Sequence, residues 1–181
     1  SVEEIIEDML RKVRELVRRV RELLREVDEK LKKLVEDVRR RLEKTNKELK
    51  DLVEDIVRRS GERKELKETM KRNHEELTKV DKELEEEKEK HHRELERADK
   101  ELEDIIRRLE EEVKDLKDKK GGSEEAKRVL DKLRKTAEDI KRTIDELLKR
   151  SEETIKKIED KIDKLVKKNK ELVKRIEDEA R

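Results

Sequence analysis

Few residues in this chain could do chemistry, and three histidines are the most informative of them. His74, His91 and His92 belong to a small set of residues that are neither charged, apolar nor glycine; the others are four Ser, six Thr and three Asn. A serine beside a histidine can act as nucleophile and base, clustered histidines can hold a metal, and a buried histidine can respond to pH near neutrality. The chain has no Cys, which excludes thiol chemistry, disulfides and Cys-based zinc sites.

The spacing of the histidines argues against a metal site. His91 and His92 are adjacent, so their side chains point about 100° apart on a helix, whereas helical chelation needs residues four apart. His74 and His92 share a helix face but are separated by about 27 Å along it. Asp28 adds only one carboxylate near His92. We therefore expect no metal and no other cofactor.

Three long helices must position these residues. Helix breakers occur only at Ser60-Gly61 and at Gly121-Gly122-Ser123, and the segments between them consist of strong helix formers without Gly or Pro. The predicted helices cover about residues 1–59, 62–120 and 123–181. Short loops make sequential helices antiparallel, which predicts an all-α, up-down-up three-helix bundle forming a single domain over residues 1–181.

Capping signals support these boundaries. Ser1 and Glu4 have the spacing of a capping box, and Ser123 is a suitable N-cap for the third helix. Gly61 and Gly121 stand where a left-handed C-cap residue is expected.

Apolar residues recur every 3.6 positions, which is the period of a straight α-helix and not the 3.5 of a supercoil. In the first helix the stripe runs from Val2 to Ile56 in 15 steps, with an 18-residue repeat. We therefore predict long, nearly straight helices. A composition that is 60% charged is typical of disorder, but the periodic apolar stripe indicates that the charged residues cover the surface of a bundle.

The first helix has additional apolar residues on both flanks of its stripe. They are Ile5 and Leu23 on one flank, and Leu10, Val17, Val35 and Val53 on the other. We interpret them as packing under the other two helices. The alternative is a face for self-association or for a designed helical partner.

Polar residues interrupt the three stripes at matching heights. Folding the two hairpins predicts three layers: Met9, Leu109 and Leu133; Val27, His91 and Ser151; Thr45, Asn73 and Asn169. Buried polar groups are costly unless they are hydrogen bonded, so their meeting predicts a core polar network that fixes register. Five residues at the stripe edges could surround it: Asn46, His74, Asp28, His92 and Thr154.

The same residues suggest two further activities. A contact of Ser151 with His91 would resemble part of a catalytic triad, but a filled bundle leaves no cavity of ligand size, so we predict no catalytic residue and no enzyme. If His91 is buried and neutral, its pKa is lowered, and its contribution to stability is lost as pH falls below about 6.5. The second helix is weakest there, with no apolar residue from Glu85 to Glu94 and Lys88 in the stripe.

Composition excludes several partner classes. Lys and Arg are interleaved with acidic residues, so the basic face of a nucleic-acid binder is missing. No apolar run approaches the roughly 20 residues of a membrane span. We expect no nucleic acid, membrane or small-molecule substrate, and a soluble chain compatible with cytoplasmic expression.

With its repeat, caps and restricted alphabet, the chain resembles de novo designed, parametrically built helical bundles. The resemblance covers the whole chain and is one of composition and patterning, with glycines in loops, Ser at helix starts, Leu, Ile and Val in the stripe, and no Pro, Cys, Gln or aromatic residue. It implies a structural scaffold without natural biochemical activity, whose polar layers give register and specificity. The alternative is a designed conformational switch or helix-binding module, responsive to pH through His91 or with a displaceable third helix.

Overall fold

The computed structural model describes residues 1–120 and 122–179 and contains three α-helices. Helix α1 spans Val2–Ser60, α2 spans Lys64–Asp118 and α3 spans Ser123–Glu179. No strand occurs in the described residues. The helices pack against one another through their apolar stripes, which confirms the predicted all-α three-helix bundle.

The first helix begins and ends as its sequence predicts. The backbone N–H of Glu4 donates to Ser1 Oγ at 3.4 Å, and the Glu4 carboxylate lies 3.7 Å from the terminal ammonium group, as in a capping box. At the other end Gly61 has a φ of +83°, and its N–H donates to the Val57 carbonyl at 2.9 Å. Gly61 therefore adopts the left-handed conformation that closes a helix C-terminus.

The second connection differs in detail from the prediction. Helix α2 ends at Asp118, and Lys120 has the positive φ, 47°. The Gly122 carbonyl accepts from the Ala126 N–H at 3.1 Å, so Gly122 takes the N-cap position and Ser123 is the first helical residue. The predicted C-cap, Gly121, lies outside the described residues.

The chain divides into two compact units, each built from one section of every helix. Unit 1 comprises Ser1–Glu29 and His91–Glu152, and unit 2 comprises Lys30–Lys90 and the part of α3 from Glu153 onward. One apolar cluster fills unit 1 and two fill unit 2. The single domain over residues 1–181 stays a prediction.

Burial of the core recurs at the five-turn interval that the sequence predicts. Leu66, Leu84 and Leu102 on α2 are all at most 5% exposed. On α3 the row that begins at Leu133, which is fully buried, continues with the buried polar residues Ser151 and Asn169. A row can repeat in this way because five turns of an α-helix, about 18 residues, return to the same face.

The core-facing side of α1 is rotated from its predicted position. One flank of the stripe is buried, comprising Leu10, Val17, Val35 and Val53, which are at most 7% exposed. By contrast Val2, predicted in the core, is 42% exposed, Ile5 is 50% exposed, and Met9 is only partly buried. The flank with four apolar residues is buried in preference to the flank with two because this removes more apolar surface from water.

Candidate functional site

His91 and Ser151, here called the His91 layer, form a buried contact between α2 and α3 in unit 1. Each residue is 4% exposed, and His91 Nε2 lies 2.7 Å from Ser151 Oγ. The same hydroxyl donates to the Leu147 carbonyl one turn earlier on α3, at 2.8 Å. The structure therefore joins the two residues that the sequence places in one layer.

The proton positions in the His91 layer follow from counting donors. A serine hydroxyl has one hydrogen, and a carbonyl can only accept, so the hydrogen of Ser151 goes to Leu147. Ser151 Oγ then accepts from His91, which must carry its proton on Nε2. A serine in this arrangement is not deprotonated by its histidine, because the histidine is the donor.

Charged groups surround His91 on the remaining side. Its Nδ1 lies 3.7 Å from Glu94 Oε2, one turn along α2. Glu94 is in turn bound by Arg150 of α3. On the α1 side Asp28 pairs with His92, the next residue of α2. A proton added at Nδ1 would therefore be buried, but it would face a carboxylate that already has a basic partner.

His92 and Asp28, predicted at the edge of the layer, are also brought together. His92 Nδ1 lies 2.9 Å from both carboxylate oxygens of Asp28, and Nε2 lies 3.4 Å from Glu96. The two side chains are 29% and 16% exposed. Val27, predicted in this layer, instead packs against the apolar cluster of unit 1.

Asn73 and Asn169, here called the Asn layer, are as buried as the His91 layer, but their hydrogen-bonding groups are not all paired. They are 5% and 1% exposed, and the Nδ2 atom of each is buried without a hydrogen-bond partner. Thr45, predicted as the third member, is only partly buried and donates to the Arg41 carbonyl of its own helix at 2.8 Å. The predicted bonding of this layer to α1 is therefore wrong: Thr45 lies on the less buried side of α1, and neither amide nitrogen donates to its hydroxyl oxygen.

The remaining predicted partners stay apart from the Asn layer. Asn46 and Thr154 are partly buried, and His74 is exposed. Among the residues that the structure describes, none of these three side chains makes a hydrogen bond or ion pair. Only the backbone carbonyl of His74 is used, as acceptor for the Thr78 hydroxyl at 2.9 Å.

Ion pairs between helices repeat with the same 18-residue spacing, a pattern that was not predicted from the sequence. Three pairs between α2 and α3 are related by this spacing: Glu112 with Lys132, Glu94 with Arg150, and Glu76 with Lys168. Between α1 and α2, Arg21 lies 2.7 Å from Asp99 and Arg39 lies 2.7 Å from Asp81. The signal was present in the sequence, because the same repeat relates these charged residues as it relates the apolar ones.

Basic partners lower the pKa of two carboxyls, Asp99 in unit 1 and Glu85 in unit 2. The hydrogen bond from Arg21 lowers the pKa of Asp99 against the opposing effect of burial. In unit 2 the hydrogen bond from Lys88, followed by the charge of Arg39, lowers the pKa of Glu85. Arg39 Nη2 lies 2.8 Å from Glu85 Oε2 as an ion pair without hydrogen-bond alignment. Lys88, the charged residue in the α2 stripe, is thereby accommodated at 20% exposure.

The interior of unit 1 is not completely filled. A partly open cavity of about 300 Å³ lies between α2 and α3, with Ala98, Leu102 and Ile140 among its lining residues. The expectation that a filled bundle leaves no cavity of ligand size is therefore wrong at this place. The small side chain of Ala98 is the main reason, since its row holds Val80 and Leu116 elsewhere.

The described residues contain neither a cluster of metal ligands nor a membrane span. No group of three His, Cys, Asp or Glu side chains in residues 1–120 and 122–179 is placed to hold a metal ion. None of the described helices has the length and apolar content to cross a membrane. Comparison with known protein families, curated proteins and solved structures finds no match to this chain.

Proposed function

We propose that the chain is a designed structural scaffold in which buried polar residues select one register of the helices. The observation that carries this proposal is the hydrogen bond from His91 to Ser151, which crosses from α2 to α3 inside an apolar core. Sliding either helix by one turn, about 5.4 Å, would separate the two partners. The Nε2–H of His91 would then be buried without an acceptor, at a cost of about 1–3 kcal/mol, whereas Ser151 would keep its bond to Leu147.

The repetition of the ion pairs supports a designed origin. Three α2–α3 pairs and two α1–α2 pairs recur at the 18-residue interval of the core. Individually such pairs contribute about 0–1 kcal/mol at a surface. Together the pairs favour one alignment of the helices. Because the charged residues and the core residues share the same repeat, both sets of contacts form best in the same register.

The geometry of Ser151 supports a non-enzymatic role. A nucleophilic serine must be reached by substrate and must give its proton to a base. Ser151 is 4% exposed and gives its proton to a backbone carbonyl. We therefore assign the His91 layer to structure and not to hydrolysis.

The proposal is tested by cross-linking, for which a chain without cysteine is well suited. Cysteines at Glu112 and Lys132, which form an ion pair, report the native register. Cysteines at Glu112 and Thr136 report a slip of one turn. Both pairs are made in the native background and in H91L/S151A, and disulfide formation is measured in a glutathione redox buffer.

In the native background we expect the first pair to oxidise and the second to remain reduced. In H91L/S151A we expect the slipped pair to become measurably oxidised, since apolar residues pack at several registers. Equal selectivity in the two backgrounds would contradict a register role for the His91 layer. Circular dichroism of the reduced proteins verifies that both backgrounds are helical.

A pH-responsive bundle is the second candidate, favoured by the burial of His91. Its ring donates from Nε2 to Ser151, and a second proton would add a charge at Nδ1 in a side chain that is 4% exposed. The facing groups are Glu94 on α2, Arg150 on α3 and the Asp28–His92 pair. Melting curves of the native chain and His91→Leu at two pH values test this candidate.

A further inference from the structure

The cavity in unit 1 is formed by a local lack of side-chain volume between α2 and α3. Its floor consists of buried residues from all three helices, including Val20, Leu109 and Leu147. Its length along α2 extends from Ala98 to Leu109. At about 300 Å³ it is roughly twice an engineered apolar cavity of about 150 Å³ that stays dry and binds benzene.

Ion pairs lie at the two ends of this cavity along the helices, but they do not cover its opening. The Glu112–Lys132 pair closes one end, and the Glu94–Arg150 pair lies one turn beyond Ala98 at the other. Between them no ion pair of the described residues joins α2 to α3. The opening therefore remains accessible from the side.

The charges at the rim favour an uncharged occupant. The cavity is lined by two acidic and two basic residues, which are Glu101, Asp139, Arg108 and Lys132. Their charges cancel, and all four are exposed to water. Neither an acid nor an amine would find a complementary buried charge.

Two threonine hydroxyls provide polar contacts for an occupant. Thr136 and Thr143 line the cavity, and neither makes a hydrogen bond within the described residues. Other threonines, such as Thr69 and Thr78, donate to the carbonyl four residues earlier in their helix. The hydroxyls of Thr136 and Thr143 are thus not occupied by a helix carbonyl.

We propose that this cavity binds one slender, uncharged apolar molecule with a single hydroxyl group, of the class of the linear aliphatic alcohols. The alkyl chain lies on Leu102, Leu109 and Ile140, and the hydroxyl exchanges hydrogen bonds with Thr136 or Thr143. Sites of this kind have apolar walls with a few polar groups that fix orientation. The proposal goes beyond the scaffold function and does not depend on register selection.

Isothermal titration of the full chain with n-octanol tests the proposal. We expect one molecule bound per chain, with Ala98→Leu weakening binding at least about tenfold, equivalent to about 1.4 kcal/mol. The matched control is Ala126→Leu, because both alanines are buried at 8% exposure in unit 1 and Ala126 does not line the cavity. This control should bind like the native chain.

Two further measurements make the test decisive. Amide shifts of the native chain on adding n-octanol should be largest in residues 98–109 and 132–147. Octanoate and octylammonium should each bind more weakly than the alcohol. Absence of binding, shifts centred elsewhere, equal loss in both alanine variants, or tighter binding of a charged analogue would overturn the proposal, while the cross-linking result would be unaffected.

Discussion

The His91 layer and the Asn layer occupy corresponding places in the two units, yet they are bonded differently. One five-turn repeat separates His91 from Asn73 on α2, and the same repeat separates Ser151 from Asn169 on α3. All four side chains are at most 5% exposed. In the His91 layer the imidazole donates to the Ser151 hydroxyl, which donates to the Leu147 carbonyl. In the Asn layer neither amide nitrogen has a hydrogen-bond partner.

The difference shows that matching height does not by itself satisfy buried polar groups. In the His91 layer a single ring donor meets a hydroxyl that can accept and also donate to its own helix. Each Asn side chain brings two N–H hydrogens. Thr45 on α1 has an oxygen that could accept one of them, but it lies on the less buried side of its helix and is bonded to neither amide nitrogen. An unpaired buried donor costs about 1–3 kcal/mol, so the Asn layer should destabilise unit 2.

The largest expected effect comes from removing the Asn layer. Asn73→Leu with Asn169→Leu should raise the free energy of unfolding by about 2–4 kcal/mol, since two unsatisfied amides are replaced by apolar groups. The corresponding change in the other layer, H91L/S151A, should alter it by less than about 1 kcal/mol. Guanidinium unfolding measures both. A loss of stability in N73L/N169L would mean that the two amides are bonded to each other.

Breaking only one side of the His91 layer should have the next largest effect. Ser151→Ala leaves the Nε2–H of His91 buried without an acceptor and should cost about 1–3 kcal/mol in unfolding experiments. Adding His91→Leu should recover most of this loss, because the unsatisfied donor is then absent. If the two substitutions are additive in a double-mutant cycle, the hydrogen bond does not form in solution.

Of the two layers, only the His91 layer contains a group that can take up a proton near neutrality. His91 is buried, and burial of an imidazole opposes its protonation, so a stabilising contribution of this kind is present at neutral pH and lost in acid. Between pH 7.5 and 4.5 the native chain should therefore lose about 1–2 kcal/mol more than His91→Leu, within the limit for one proton. N73L/N169L, measured alongside, should follow the native chain because amides do not titrate. Identical pH dependence of the native chain and His91→Leu would remove the pH-responsive candidate.

The smallest effects should come from the ion pairs beside each layer. Because Arg21 lowers the pKa of Asp99, this carboxylate stabilises the fold above its usual range near 4 and loses that contribution as pH falls through the lowered pKa. Asp99→Asn should cost less than about 1 kcal/mol at pH 7, and this cost should shrink as the pH falls below the usual range of the carboxyl and Asp99 becomes protonated. Glu85→Gln should behave alike in unit 2. Thermal melts across this pH range provide the measurement, and a cost that persists at pH 2 would contradict it.

The helices and the height of their polar residues could be predicted because both depend on periodicity. An 18-residue repeat places Asn73, His91 and Leu109 in one row without any tertiary information, and the structure buries all three. The caps at Ser1 and Gly61 are likewise local properties of the chain. These features needed only the geometry of a single helix.

The rotation of α1 and the satisfaction of the polar groups could not be predicted in this way. Met9 and Leu10 are neighbours on one helix, and only competition among the three packed faces decides that Leu10 is buried. This rotation moves Thr45 away from the Asn layer and moves Asp28 toward His92. Whether a hydroxyl bonds its own helix or another depends on distances that no sequence pattern contains.

The central claim is that the hydrogen bond from His91 Nε2 to Ser151 Oγ selects the register of the helices. The position of the proton on the His91 ring tests this claim most directly. Long-range proton–nitrogen correlation spectra of the 15N-labelled chain at pH 7.5 identify the protonated nitrogen of each ring. We predict a neutral His91 with its proton on Nε2, slow to exchange with solvent, and loss of that protection in Ser151→Ala. A proton on Nδ1 alone, a charged ring, or rapid exchange in the native chain would contradict the account.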